Sequence, residues 1–217
     1  MGIQTIIDKA GFITINKRKG VGQTISRSGH IKTALQQQSI YRFTVSVPDG
    51  LRYSENRDFL ESIDETDVIT EANVDIGLTN TGLSYITAYQ GDRTSANLAN
   101  ITVNAVDGNK IYVDTTTCQG TGTIFKVGDY IQPEGNTDTY RYPYQVTTEF
   151  STASSNAFIE VHRPIIPQDG VDLTVGNLRV GNNVRFHLKA LTMPIYSVIP
   201  HDIISFDGNF ELMEVIT

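Results

Sequence analysis

Between residues 41 and 67 the chain changes its periodicity, and this change limits the fold more than any other feature. Tyr41-Arg-Phe-Thr-Val-Ser-Val47 alternates apolar and polar side chains, the period of a half-buried strand. The alternation stops at Pro48-Asp49-Gly50 and gives way to a charged segment in which Phe59, Leu60 and Ile63 fall at i, i+1 and i+4. That spacing predicts a helix over 54–64 whose apolar stripe lies on a sheet. Ser54 is placed to cap it, and Glu55 and Asp58 sit in the first turn, where the helix dipole favours negative charge. It is the only helix that the sequence predicts. Elsewhere period-two alternation and Gly, Asn and Asp turns dominate, so the expected fold is mainly β, a sandwich or barrel with one short helix.

The N-terminal part reads as successive strands, at 3–7, 12–16, 23–27, 30–35 and 41–47, because β-branched and aromatic residues fill them and Gly or Asn separates them. After the helix, strands are predicted at 73–77 and 83–89, and then at 97–106 and 110–114 around the hairpin turn Asp107-Gly108-Asn109. Further strands are expected at 125–133, 140–148 and 157–162, the last ended by Pro164 and Pro167, which cannot donate to a central ladder. Segments 184–190, 196–199 and 210–216 complete the set. A polar stretch over 91–96 divides the chain into two expected units. Residues 1–92 form a β set with a hairpin arm and the helix, and residues 93–217 form a second small barrel or sandwich.

A chain of 217 residues is long enough for one elaborate β domain or two small ones. Hydrophobic content of 39% with no Trp points to strands with many half-exposed faces. The net charge of −7 is opposite in sign to the basic footprint that holds nucleic acid by its phosphates. Tight nucleic-acid binding is therefore not expected, whereas a channel wall past which DNA slides would suit this charge. Cys118 is the sole cysteine, so no intrachain disulfide is possible, and it reads as a small buried filler. No basic start followed by an apolar leader is visible. No apolar run approaches the ~18 residues of a membrane span. The expectation is a product made in the cytoplasm of its producing cell with no membrane partner.

Chemistry is not foreshadowed. His30, His162, His187 and His201 are scattered without a ligand-pair spacing. His201 and Asp202 are adjacent, which on a strand turns their side chains to opposite faces. Gly20-Val21-Gly22 and Gly120-Thr121-Gly122 lack the following helix of a phosphate cradle. The carboxylates Glu61, Asp64, Glu65 and Asp67 read as a solvated helical face. No catalytic, cofactor-binding or metal-binding residue is expected. Two surfaces do invite a binding role. The basic tip with Lys17, Arg18 and Lys19 reads as a contact for an acidic neighbour, or as a solvated hairpin whose charges discourage edge pairing. Tyr140, Tyr142 and Tyr144 alternate onto one strand face and read as a core wall, a subunit interface or a platform for sugar rings.

Several segments carry a resemblance. Gln23-Thr-Ile-Ser-Arg-Ser-Gly29, Tyr41-Arg-Phe-Thr-Val45, Leu51-Arg-Tyr-Ser-Glu-Asn-Arg-Asp58, Gly128-Asp-Tyr-Ile-Gln-Pro133 and the stretch from Ile204 to Glu214 resemble small structural proteins of tailed bacteriophages, especially those of phages infecting marine bacteria. The resemblance implies a tail-tube, tube-initiator, baseplate or distal-tail component located in the virion tail. It implies β sandwiches or barrels joined in sixfold or threefold homo-oligomeric rings, with other tail or baseplate proteins as neighbours and DNA passing through the lumen. The chain exceeds a minimal tube subunit in size, which suggests a ring protein with an added peripheral domain. Lys17, Arg18, Lys19, Tyr140, Tyr142 and Tyr144 are the expected subunit contacts. Two rival readings are a carbohydrate-binding β module on a virion surface, capsid or fibre, and a small hydrolase.

Overall fold

The computed structural model describes residues 2–17, 19–25, 31–64, 71–137 and 140–216, with backbone alone for 19–25 and 31–38. In chain order the elements begin with helix α1 (Gly2–Asp8), β1 (Phe12–Asn16), β2 (Lys19–Ile25), β3 (Ile31–Ser39), β4 (Arg42–Ser46), β5 (Leu51–Arg52), α2 (Arg57–Asp64) and β6 (Glu71–Val74). A 3-10 turn (Thr81–Ile86) and the helical turn α3 (Ser95–Leu98) follow. Then come β7 (Thr102–Asp107), β8 (Lys110–Asp114), β9 (Tyr130–Pro133), β10 (Tyr144–Gln145), β11 (Ala157–Glu160) and β12 (Leu178–Val180). A short 3-10 turn (Gly181–Asn183) leads to β13 (Phe186–Thr192), β14 (Ile195–Ile199), β15 (Ile203–Asp207) and β16 (Phe210–Glu214). The protein is mainly β, with 37% strand and 15% helix. None of the sheets formed by the described residues closes into a barrel.

One core is built on a five-stranded antiparallel sheet in the order β1-β4-β16-β13-β6. Alternation in β4 sends Phe43 and Val45 inward. They meet Phe186, Leu188 and Leu212 from the C-terminal strands. Helices α1 and α2 contribute Ile3, Ile6, Ile7, Phe59, Leu60 and Ile63 to the same core. The stripe of α2 is thus buried as its spacing predicts. The helix itself starts at Arg57, because Ser54 is bound elsewhere: its N–H and Oγ donate to the two carboxylate oxygens of Asp202, at 2.9 and 2.5 Å.

A second core lies between the sheets β11-β8-β7 and β10-β9-β12, and contains Ile111, Val113, Phe125, Ile131, Ile159 and the three tyrosines at 140, 142 and 144. The hairpin at Asp107 forms as expected, with Asp107 paired to Lys110 and Gly108 at φ +55°.

Four expectations are corrected. Residues 3–7 are helical, because Ile3, Ile6 and Ile7 recur at i, i+3 and i+4 and all three find the core at once. Residues 81–86 form a 3-10 turn that buries Leu83 alone, with Ser84 Oγ donating back to the Thr81 carbonyl. In the stretch 140–148 only Tyr144–Gln145 pairs as strand, since Pro143 has no N–H to give. The division at residue 92 does not hold for the C-terminal stretch, since β13 and β16 return to the first sheet. The second core is an insertion between β6 and β13.

Candidate functional site

Among the described strands β2 and β3 pair only with each other, from Lys19 opposite Ser39 to Ile25 opposite Ile31, and form a two-stranded sheet of their own. At about 3.3 Å per residue the longer strand spans roughly 30 Å. A lone two-stranded hairpin is marginal in water, so an arm of this kind gains order from whatever it lies against. Arg18 and His30 lie outside the described residues, as do Glu65 and Asp67 of the acidic segment after α2, and Lys19 is described by its backbone alone.

The root of the arm is tied into the body. Lys17 Nζ donates to Gln145 Oε1, and burial holds its amine below the usual lysine range. Lys17 therefore acts first as an anchor within its own subunit. Ser39 Oγ donates to the Lys17 carbonyl at 2.6 Å, which joins the two ends of the hairpin. The Ser39 carbonyl in turn accepts from Arg163 at 2.7 Å.

Arg163 is the hub beneath the arm. Its guanidinium forks onto Glu214 at 2.5 and 2.6 Å and also donates to the Pro143 carbonyl at 3.0 Å. The rings of Tyr41 and Tyr144 flank it, each with its centre 5.2 Å from the guanidinium carbon. Both charged side chains have no solvent exposure. Burial pulls the Arg163 pKa down, but the hydrogen bonds and charge of Glu214 outweigh it and hold the group above its ordinary value. Glu214 also accepts from the Tyr41 N–H at 3.2 Å. The pair links the first core, through β16, to the second.

Tyr140, Tyr142 and Tyr144 belong to the core beside this hub, at 3%, 0% and 0% exposure. Tyr140 Oη donates to the Ile166 carbonyl at 2.7 Å, the Ile166 N–H donates to Tyr144 Oη at 2.9 Å, and the two hydroxyls bond to each other. Burial pushes the Tyr144 hydroxyl up to about 12 and Tyr140 higher still. Rings without surface cannot meet a neighbouring subunit or stack on a sugar. Their expected role as contact residues gives way to the core wall.

The open edges lie elsewhere. Strand β14 forms one side of the sheet β14-β15-β5, and its other side has no partner among the described strands. Ile195, Val198 and Ile199 are 78%, 50% and 42% exposed, and the strand contains no charged residue. Edge strands ordinarily carry a charge, a proline or a bulge against unwanted pairing. Tyr196 Oη fixes β14 to α2 by donating to Asp64 at 3.0 Å. The loop between β14 and β15 holds His201 and Asp202 at φ +74° and +66°, a conformation that Asp202 sustains through its two bonds to Ser54. Strand β1 is a second edge without a further partner among the described strands, uncharged and with Phe12 exposed. Of these features, only the absence of charge over 195–199 and over 12–16 is visible in the sequence.

A groove of about 640 Å³ runs between the two cores, lined by Asp75, Arg93, Glu134, Arg179 and Arg185 among others. Its cations are engaged. Arg179 lies 3.3 Å from Glu134, Arg185 3.7 Å from Asp75, and Arg93 donates to the carbonyls of Gly120, Thr121 and Gly122. His162 accepts from the Gln145 N–H through Nδ1 at 3.0 Å. His187 sits between Asn73 Oδ1 at 2.9 Å, Glu71 at 3.2 Å and Arg141 at 3.3 Å. Among the described residues no three His, Cys, Asp or Glu side chains converge as metal ligands would. No protein-family model matches this sequence, and no curated protein matches it.

Proposed function

We propose that the chain is a structural subunit of a phage tail or baseplate, assembling into a symmetric ring around the tail axis and acting by contact rather than by catalysis. The observation that carries this reading is the β2–β3 hairpin, a sheet of two strands anchored at its root and paired with no other described strand of its own chain. A subunit that exchanges such an arm with its neighbour gains the surface that the hairpin lacks alone. The uncharged open edges of β1 and β14 on one chain suit a heterologous contact, in which one patch meets a different patch on the next copy and the series closes into a ring. The resemblance of segments 23–29, 41–45, 51–58, 128–133 and 204–214 to tail proteins supports the same assignment, and the acidic balance suits a lumen for DNA.

Light scattering after size exclusion, with negative-stain electron microscopy of the same fractions, tests the reading. Rings of several copies with threefold or sixfold symmetry are expected. A species of 24.0 kDa at every protein concentration would overturn it. The carbohydrate-binding alternative has lost the platform on which it was expected to rest, because the three tyrosine rings are buried.

A further inference from the structure

Charge is divided unevenly along this chain. Residues 9–48 hold seven of its 17 basic residues and none of its 24 acidic ones. The arm and its flanks are therefore uniformly positive, whereas the rest of the chain carries ten bases against 24 acids. The opposite imbalance occurs at the C-terminal strands, where no Lys or Arg follows Lys189. There the exposed acid Asp207 pairs directly with Ile195 of β14, and the exposed Glu211 of β16 lies opposite Thr192 at the end of β13, three positions before β14 begins. Helix α2 adds Asp64, bonded to Tyr196, and Glu61, whose charge acts on the same tyrosine. Of the cations close to α2, Arg52 stands beside Glu55 and Arg57 over the Tyr53 ring.

We propose that this acidic face, with the open apolar edge of β14 at its centre, receives the basic β2–β3 arm of a second copy of the chain. The inference rests on the ring reading above and names the contact that closes it. Three features match. The charges are opposite, the acceptor offers an unpaired row of backbone donors and acceptors, and the arm supplies a strand pair with Val21, Ile25, Ile31 and Leu35 among its residues. Pairing of an arm strand with β14 would extend the β14-β15-β5 sheet by two strands while the acids hold the arm's cations. A nucleic acid would satisfy the cations but would leave the edge and its isoleucines uncovered. The contact is heterologous, so each copy gives one arm and takes one.

A charge swap tests this. Lys19→Glu, Arg27→Glu and Lys32→Glu together reverse the arm, and Glu61→Lys, Asp207→Lys and Glu211→Lys together reverse the acceptor. Each triple variant alone should associate at least about a hundredfold more weakly than the original chain, since like charges then face each other. Mixed in equal amounts, the two should bind each other, the reversed arm on the reversed acceptor and the native arm on the native acceptor, which also shows that both have folded. Assembly by the original chain that neither triple variant weakens would overturn the arm contact and leave the ring reading standing. Variants that each lose assembly and do not associate with each other when mixed would also overturn it. A chain that stays at 24.0 kDa at every concentration overturns both readings. Retention of a fluorescent DNA duplex that the arm reversal abolishes, with self-association unchanged, would assign the arm to nucleic acid instead.

Discussion

The buried pair of Arg163 and Glu214 concentrates more consequence in two side chains than any other contact described. Removing one partner leaves the other charged and without a counter-ion in a dry interior, which typically costs about 3 to 5 kcal/mol. Arg163→Met and Glu214→Leu should each lower stability in urea by that amount, while the double substitution should cost clearly less than the sum of the two. The pair could not be read from the sequence, because its members lie 51 positions apart and a lone arginine before a proline looks like a surface residue. His187 is a second residue with a measurable signature. Burial, aided by the charge of Arg141 and opposed by Glu71, holds its pKa below the ordinary 6.5. A folded value below the unfolded one means that the neutral ring favours the fold. This contribution is complete above the unfolded pKa and is lost as pH falls through the folded one. Between about pH 7 and about pH 5 the melting temperature should therefore fall less in His187→Gln than in the original chain.

At the scale of elements, legibility followed the spacing of apolar residues and failed where two periods competed. Helix α2 was readable because Phe59, Leu60 and Ile63 form a stripe that no strand would make, and all three are buried. Phe59→Ala should cost about 3 to 5 kcal/mol, whereas Glu61→Ala on the solvent side should stay within about 0.5 kcal/mol. Comparable small losses for both, measured by thermal unfolding, would place the helix wrongly. Helix α1 was missed because Ile3, Thr5, Ile6 and Ile7 are β-branched residues that favour strands, and tertiary burial of three isoleucines overrides that preference. The tyrosines at 140, 142 and 144 show the reverse error. All three enter one core although only Tyr144 lies in a strand, and what turns them inside is Ile166 and Arg163, both distant in sequence. Tyr142→Ala should accordingly act on stability, by about 3 to 5 kcal/mol, rather than selectively on assembly.

For the molecule as a whole, the proposed ring makes folding and assembly separable at the hairpin. Replacing residues 21–37 by a short Gly-Ser linker keeps Lys17 and Ser39 at the root and removes none of the residues described in either core, so the melting temperature should change little while rings disappear from electron micrographs. Unfolding of the remaining body together with loss of rings would show that the arm serves its own subunit instead. The insertion of the second core has a consequence for how the chain is made. In the five-stranded sheet β4 lies between β1 and β16, and Tyr41 meets Glu214 across 173 positions of sequence. During synthesis β4 therefore leaves the ribosome long before the strand that covers its far side exists. At about 5 to 20 residues per second that interval is roughly 10 to 35 s. The inserted core can form in this time, but the first sheet stays unzipped, with one edge of β4 open to any other nascent chain.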